Sequence, residues 1–476
     1  MSLALILNPI FFPEFALFLA GLIGIIIGLF NNQSHLLTNK ICLIGLIVSA
    51  LCLYNLYQNQ IYITYQFFTL NNPIILAKLI VVVSSIFVLL CFNNLEQNLA
   101  FELPVIVLFA VLGMYTLISS NDFITFYVGL ELQSLSLYIL TASNRNNPNS
   151  TEAGLKYFIL GVITTGLILF GISLIYAYTA SINFVHFVDL YHNNSINIGS
   201  VPIALIIGLV LILIGLLFKI SAVPFHMWAP DVYEGSPTIF TMLIATAPKV
   251  AIIAIFIRIF LHDFSSLYHY FNPIILLVAL LTLAVGSFAA LKQAKLKRLL
   301  AYSAITNIGF ILLGLLSHDK ANMIIVTNYI IIYLSLTIAS FAVLLAIENK
   351  NPHFTQISEL ASFSKSNPIL AISFTICLLS LAGIPPFAGF FAKFYIIQSL
   401  IVQGSIWIAI VSVLFSVVAS FYYLNIIKVM YFDDNSAPIS ADSMGTLQFV
   451  VILMAIFNSI YIFYYQNIMN LINSVY

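Results

Sequence analysis

Long apolar runs separated by short polar stretches dominate the chain. They fall near 10–30, 41–58, 73–93, 103–119, 122–141, 155–180, 201–229, 238–261, 272–291, 299–317, 322–347, 368–402, 405–431 and 446–466. An α-helix needs roughly 20 predominantly apolar residues to cross the hydrocarbon core of a bilayer. A chain threading lipid must also satisfy its backbone within its own helices. The pattern therefore predicts an all-α integral membrane protein of about fourteen transmembrane helices.

Two runs do not read as plain helices. The run 201–229 holds Lys219, Pro224 and His226, and 368–402 holds Gly383-Ile384-Pro385-Pro386-Phe387-Ala388-Gly389 followed by Lys393. Proline removes a backbone donor and clashes with the preceding turn, so a break is expected near 219–224 and another near 383–389. Unwound backbone at membrane depth is tolerated only where protein or a water-filled cavity surrounds it. Such breaks mark ion sites in transporters, often in corresponding halves of an inverted repeat. Their spacing predicts two inverted five-helix repeats with discontinuous helices, 103–261 and 272–431. Helices 1–3 lie in 1–102, and a last transmembrane helix lies in 446–476.

Composition agrees with lipid as the solvent. Hydrophobic residues make up 62% of the chain and charged residues 7%, against about 25% charged in soluble domains. Mean hydropathy is +1.09. Net charge is zero, and no basic tail or patch points to nucleic acid. The four cysteines, Cys42, Cys52, Cys91 and Cys377, form no CxxC pair, so neither zinc nor iron–sulfur ligation is supported. No glycine-rich loop follows a strand, and no histidines pair at depth as haem ligands would. The first thirty residues lack a basic leader and a small-residue cleavage site, and read as a retained helix. Gly24 and Gly28 make a small-xxx-small pair suited to close helix packing.

Loop charge sets the expected orientation. Alternating the crossings puts Lys40, Arg145, Lys156, Lys292, Lys295, Lys297, Arg298, Lys350, Lys365 and Lys428 on one side. Lys320 falls on the other, and Lys78 and Arg258, in helices near it, are expected to snorkel to that side. The positive-inside rule then makes the lysine-rich side cytoplasmic and puts both termini outside, which needs an even helix count.

Few charges remain at depth: Glu131 in mid-helix, Lys219 and Lys393 at the two expected breaks, and Lys249 after Pro248. Each costs roughly 2.5–3.5 kcal/mol at mid-membrane on insertion scales unless it is paired, hydrated or neutralised. Desolvation disfavours a charged group and a neighbouring opposite charge favours it. A lysine held between those influences beside a glutamate can take up and release a proton. This makes a Glu–Lys pair with further lysines a candidate proton relay. Structural readings stay open beside it: an ion-pair role for Glu131, helix-break caps for Lys219 and Lys393, and snorkelling for Lys249. For His226 the alternative is capping near the interface. For Lys156, within a turn of Glu152, it is interfacial charge.

The run Phe218-Lys219-Ile220-Ser221-Ala222-Val223-Pro224-Phe225-His226-Met227-Trp228-Ala229-Pro230-Asp231-Val232-Tyr233-Glu234-Gly235-Ser236-Pro237-Thr238 closely resembles the signature of the antiporter-like membrane subunits of respiratory complex I. Its Pro-Asp-Val-Tyr-Glu-Gly segment resembles the N-type branch. Further likeness lies in the Glu131 helix, in Leu155-Lys156-Tyr157-Phe158-Ile159-Leu160-Gly161, in Leu299-Leu300-Ala301-Tyr302-Ser303 and in Gly383-Ile384-Pro385-Pro386. The resemblance implies a proton-translocating subunit of NADH:quinone oxidoreductase, a translocase with 103–261 as a proton-translocation half. It implies Glu131 as the modulator of Lys219, Lys249 as the connecting lysine and Lys393 as the terminal one, with His226 and Lys156 in less defined roles. It implies no redox centre in this chain, the NADH, FMN, iron–sulfur clusters and quinone belonging to partner subunits. K-type and M-type membrane neighbours and a multi-pass place in the bacterial cell inner membrane, termini periplasmic, are also implied. The alternative is an Mrp-type cation/proton antiporter subunit.

Overall fold

The computed structural model of the protein describes residues 9–30, 34–59, 63–65, 67–92, 100–184, 203–317, 319–434, 439–442 and 445–476. Positions 1–8, 93, 201 and 202, which belong to the expected segments, lie outside the described residues. The helices are α1 (Phe12–Phe30), α2 (Ser34–Gln58), α3 (Asn72–Phe92), α4 (Glu102–Ser119), α5 (Phe123–Thr141) and α6 (Pro148–Thr179). Then come α7 (Ile203–Lys219), α8 (Trp228–Gly235), α9 (Thr238–Ala245), α10 (Ala247–Phe256), α11 (Tyr268–Ala290) and α12 (Leu296–Gly314). The last are α13 (Lys320–Lys350), α14 (Pro368–Ala382), α15 (Ala388–Val402), α16 (Ile406–Phe432) and α17 (Thr446–Val475). Twelve helical stretches among the described residues are long and apolar enough to cross a membrane, α9 and α10 counting as one. The shorter apolar helices α7, α14 and α15 flank the two expected breaks.

Lipid solvation explains which faces point where. Leu414, Val417 and Phe421 share one face of α16 and are all exposed, as are Ile163 and Phe170 on α6. Polar side chains go inward instead. Helix α13 runs through the middle of the bundle, buried almost continuously from Ile324 to Ile347. Small residues let helices approach where they cross. A Cβ on Gly171 of α6 or Gly208 of α7 would collide with the other's carbonyl oxygen. Gly24 and Gly28 lie against Val105 and Phe101, in keeping with the packing role expected of them.

A short antiparallel hairpin, β1 (Ile63–Thr64) with β2 (Thr69–Leu70), pairs Ile63 with Leu70 and Thr64 with Thr69. Phe68 bridges to Ser120 in the α4–α5 loop. Beneath it sits Lys78, fully buried, 2.5 Å from Glu14 on α1 and stacked near the rings of Phe68 and Tyr115. The expected snorkelling of Lys78 is thus corrected: a counter-charge on the neighbouring helix holds it inside. Arg258 does not snorkel freely either. It donates to the Ser120 carbonyl and, at 2.7 Å, to Asn121 Oδ1, tying the end of the α10 region to the α4–α5 loop.

Candidate functional site

Helix α7 ends at Lys219, and the chain stays non-helical until Trp228. Ser221 takes a left-handed backbone (φ 61°), and the Ala222 N–H closes back on the Leu217 carbonyl at 2.9 Å. Buried backbone groups freed by such a break need partners. Trp228 Nε1 donates to the Phe218 carbonyl at 2.9 Å, and the Val223 N–H donates to Thr282 Oγ1 of α11 at 3.0 Å. The break lies where Pro224 predicts it, but the helix resumes as α8 and runs on past the expected end at 229.

The break leaves the Lys219 side chain 6% exposed. Its Nζ donates to Ser134 Oγ at 2.7 Å and to Tyr138 Oη at 3.1 Å. Both hydroxyls lie on the Glu131 face of α5, one and two turns beyond it. Glu131 itself is partly buried and acts electrostatically on Lys219. No direct ion pair joins them among the described residues. Glu131 thus bears on Lys219 through its charge and not through a direct contact. A hydroxyl both donates and accepts, so Ser134 and Tyr138 can serve Lys219 in either protonation state. Neither stood out in the sequence, although their spacing from Glu131 placed them on its face.

Lys249 lies at a third interruption. The expected single helix 238–261 is two pieces, α9 and α10, separated at Thr246 (φ −117°, ψ −94°). Pro248 supplies the reason, having no N–H to continue the helix. The Ala245 carbonyl at the break accepts from Tyr333 Oη of α13 at 3.1 Å. Tyr333 Oη in turn accepts from Lys249 Nζ at 3.2 Å. The ammonium also lies 5.7 Å and 5.5 Å from the ring centroids of Tyr233 and Tyr333. Lys249 is 2% exposed, so it is an interior residue and does not snorkel.

The last lysine sits where α14 and α15 overlap. Gly383 ends α14 at φ +84°, a conformation that a Cβ disfavours. Gly389 passes so close to Ser380 that a Cβ would overlap its carbonyl oxygen, and its N–H donates to Ser380 Oγ at 2.9 Å. Lys393 then reaches back from α15 to the exposed end of α14. Its Nζ donates to the carbonyls of Leu381 at 2.8 Å and Ala382 at 3.1 Å, and to Ser416 Oγ of α16 at 3.3 Å. These bonds satisfy carbonyls left open at the end of α14.

Tyr333 and Lys393 line one small cavity with Asn307, Tyr329 and Ser380. Tyr329 Oη donates to Asn307 Oδ1 at 2.7 Å. Tyr329 and Tyr333, one turn apart on α13, are the sequence signal for this wall, a weak one because tyrosines are common in apolar runs.

Lys156 and His226 stand apart from that line. Lys156, 43% exposed at its side chain, contacts Glu152 at 2.8 Å and Asp231 of α8 at 2.9 Å. Arg298 of α12 reaches Asp231 at 2.8 Å and Glu234 at 3.0 Å, and Glu234 meets Lys295 at 2.5 Å. An ion-pair chain thus ties α6, α8 and α12 together at one end of the bundle. His226 lies within the first break with a buried Nδ1 that lacks a hydrogen-bond partner among the described residues.

Comparison with known proteins fits this arrangement. Residues 120–419 match the family described as NADH:quinone oxidoreductase/Mrp antiporter, transmembrane region. NADH-quinone oxidoreductase subunit N of Paramagnetospirillum magneticum is 39% identical over 448 residues, covering 93% of this chain and 91% of that protein. A chain of respiratory complex I from Thermus thermophilus shares the fold at TM-score 0.81 and 24% identity, covering 96% of this chain and 98% of that one. A chain of the Mrp complex from Dietzia does so at TM-score 0.86 and 19% identity, with 98% and 95% covered. On the strength of the family match and of the full-length likeness at 39% identity, the chain belongs to the NADH-quinone oxidoreductase subunit N family of antiporter-like membrane proteins.

Proposed function

We propose that this chain is a proton-translocating membrane subunit of NADH:quinone oxidoreductase, a translocase of the bacterial inner membrane. A proton enters a half-channel near Lys219, passes Lys249 and leaves by Lys393, and Glu131 modulates Lys219. His226 and Lys156 are secondary members of the path. The observation that carries this reading is the coincidence of buried lysines with helix interruptions: Lys219, Lys249 and Lys393 each lie at or beside one, and each is nearly inaccessible. Each lysine at depth is costly in lipid, and a proton path gives all three a common use.

The wider arrangement follows from the same reading. Counting each interrupted helix as one crossing gives fourteen, with both termini on the outer side. Residues 103–261 and 272–431 form two inverted repeats, and the break falls on the fourth helix of each. The redox groups, FMN, iron–sulfur clusters and quinone, belong to partner subunits. K-type and M-type membrane subunits flank this one. Replacing Lys219 with alanine in the assembled complex is expected to cut proton pumping and coupled quinone reduction by about tenfold or more, the scale of a lost proton-transfer group. Wild-type pumping in that variant sinks the proposal.

An Mrp-type cation/proton antiporter subunit is the second reading, favoured by a family description that spans both kinds of complex. Purification separates the two. Co-isolation with NADH-oxidising subunits supports the first, and sodium-dependent antiport without them supports the second.

A further inference from the structure

Between Lys249 and Lys393 no lysine, glutamate or histidine lines the proposed proton path among the described residues, and the group that stands there is a phenol. Tyr333 lies mid-way along α13 and is 3% exposed. Its Oη accepts from Lys249 Nζ at 3.2 Å and donates to the Ala245 carbonyl at 3.1 Å. The same residue lines the cavity that Lys393 borders. That cavity has room for about one water molecule, and Asn307, Tyr329 and Ser380 supply polar partners to hold it.

We infer that the Tyr333 hydroxyl is the link that carries a proton from Lys249 toward Lys393, a role that rests on the proton-transfer reading above. A phenol can accept a hydrogen bond at its oxygen while donating its own proton. In the transfer, an N–H bond of the Lys249 ammonium breaks as a new O–H bond forms on Tyr333. The original Tyr333 O–H breaks as its proton passes to a water in the cavity, and that water passes a proton to the Lys393 amine. Lys249 ends neutral, Lys393 ends protonated, and Tyr333 and the water are regenerated. For the hand-over the hydroxyl turns from the Ala245 carbonyl toward the cavity, a rotation about one C–O bond. The hydrogen bond to Ala245 sets the resting orientation of the hydroxyl.

The test uses the whole complex reconstituted in liposomes, with Tyr333→Phe, Tyr333→His and Lys393→Met compared against wild type. Phenylalanine keeps the ring beside Lys249 and removes only the oxygen. Imidazole restores a group that accepts at one nitrogen and donates at the other. Pumping in Tyr333→Phe is expected to fall by about tenfold or more, the scale of a lost acid–base group, with much of it regained in Tyr333→His. Wild-type pumping in Tyr333→Phe overturns the inference, as does equal loss in the Phe and His variants, since a restored donor–acceptor group then recovers nothing. Lys393→Met separates the levels. If it abolishes pumping while Tyr333→Phe does not, the tyrosine link fails and the proton path stands. If both variants pump normally, the path itself fails.

Discussion

The lysines of this protein are buried on two different terms. Lys78 sits 2.5 Å from a carboxylate, Glu14. Lys219 and Lys249 rest on hydroxyls, and Lys393 on backbone carbonyls and a serine. A close buried ion pair is costly to break from one side, because the remaining charge is left uncompensated. Lys78→Met alone is therefore expected to destabilise the protein by about 3–5 kcal/mol, and the double replacement Glu14→Leu with Lys78→Met by clearly less. Thermal unfolding of the purified complex measures both, and a double variant no more stable than the single contradicts the pairing. The sequence alone suggests an interfacial Lys78 because the partner is 64 positions away on another helix, and no local pattern points to it. Glu131 shows the same limit. The resemblance gives it as the modulator of Lys219, whereas the hydroxyls that hold the ammonium, one and two turns further along α5, carry no signal of their own in the sequence. In both cases the residue was legible and its partner was not, since side-chain reach is decided by tertiary packing.

Interruption is the recurring device among the helices. The two long breaks were readable because proline and glycine act through the backbone and need no knowledge of neighbours. The third, at Thr246, carried the same signal in Pro248 but lay in a run of ordinary length, so nothing demanded a second piece. The extension of α8 past 229 was hidden by the polar residues of Asp231 and Glu234, which read as loop and instead enter the ion-pair chain with Lys156, Arg298 and Lys295. At the last break the tightest constraint is Gly389. Its missing side chain lets α15 slide past Ser380 and brings Lys393 to the end of α14. Gly389→Ala is expected to push α15 away and lower pumping sharply, whereas Gly404→Ala, at an open site, costs about 1–2 kcal/mol from its positive φ alone. Proton uptake by vesicles bearing each variant checks the contrast, and equal activity in the two refutes it.

At the scale of the molecule, lipid solvation fixes what the outside looks like and leaves the inside free to carry charge. Composition and run length were enough for an all-α membrane protein, because a bilayer permits few alternatives. The proposed path through it is not legible in the sequence: Lys249, Tyr333 and Lys393 come from α10, α13 and α15, and only folding brings them together. Lys249 offers the cleanest test of that path. Its hydrogen-bond partner among the described residues is the Tyr333 hydroxyl, so its removal breaks no ion pair. The measurement is the number of protons moved per NADH oxidised in sealed vesicles carrying Lys249→Met in an otherwise intact, fully assembled complex. The account predicts a fall in that number together with slower coupled quinone reduction; a ratio and rate equal to wild type would contradict it.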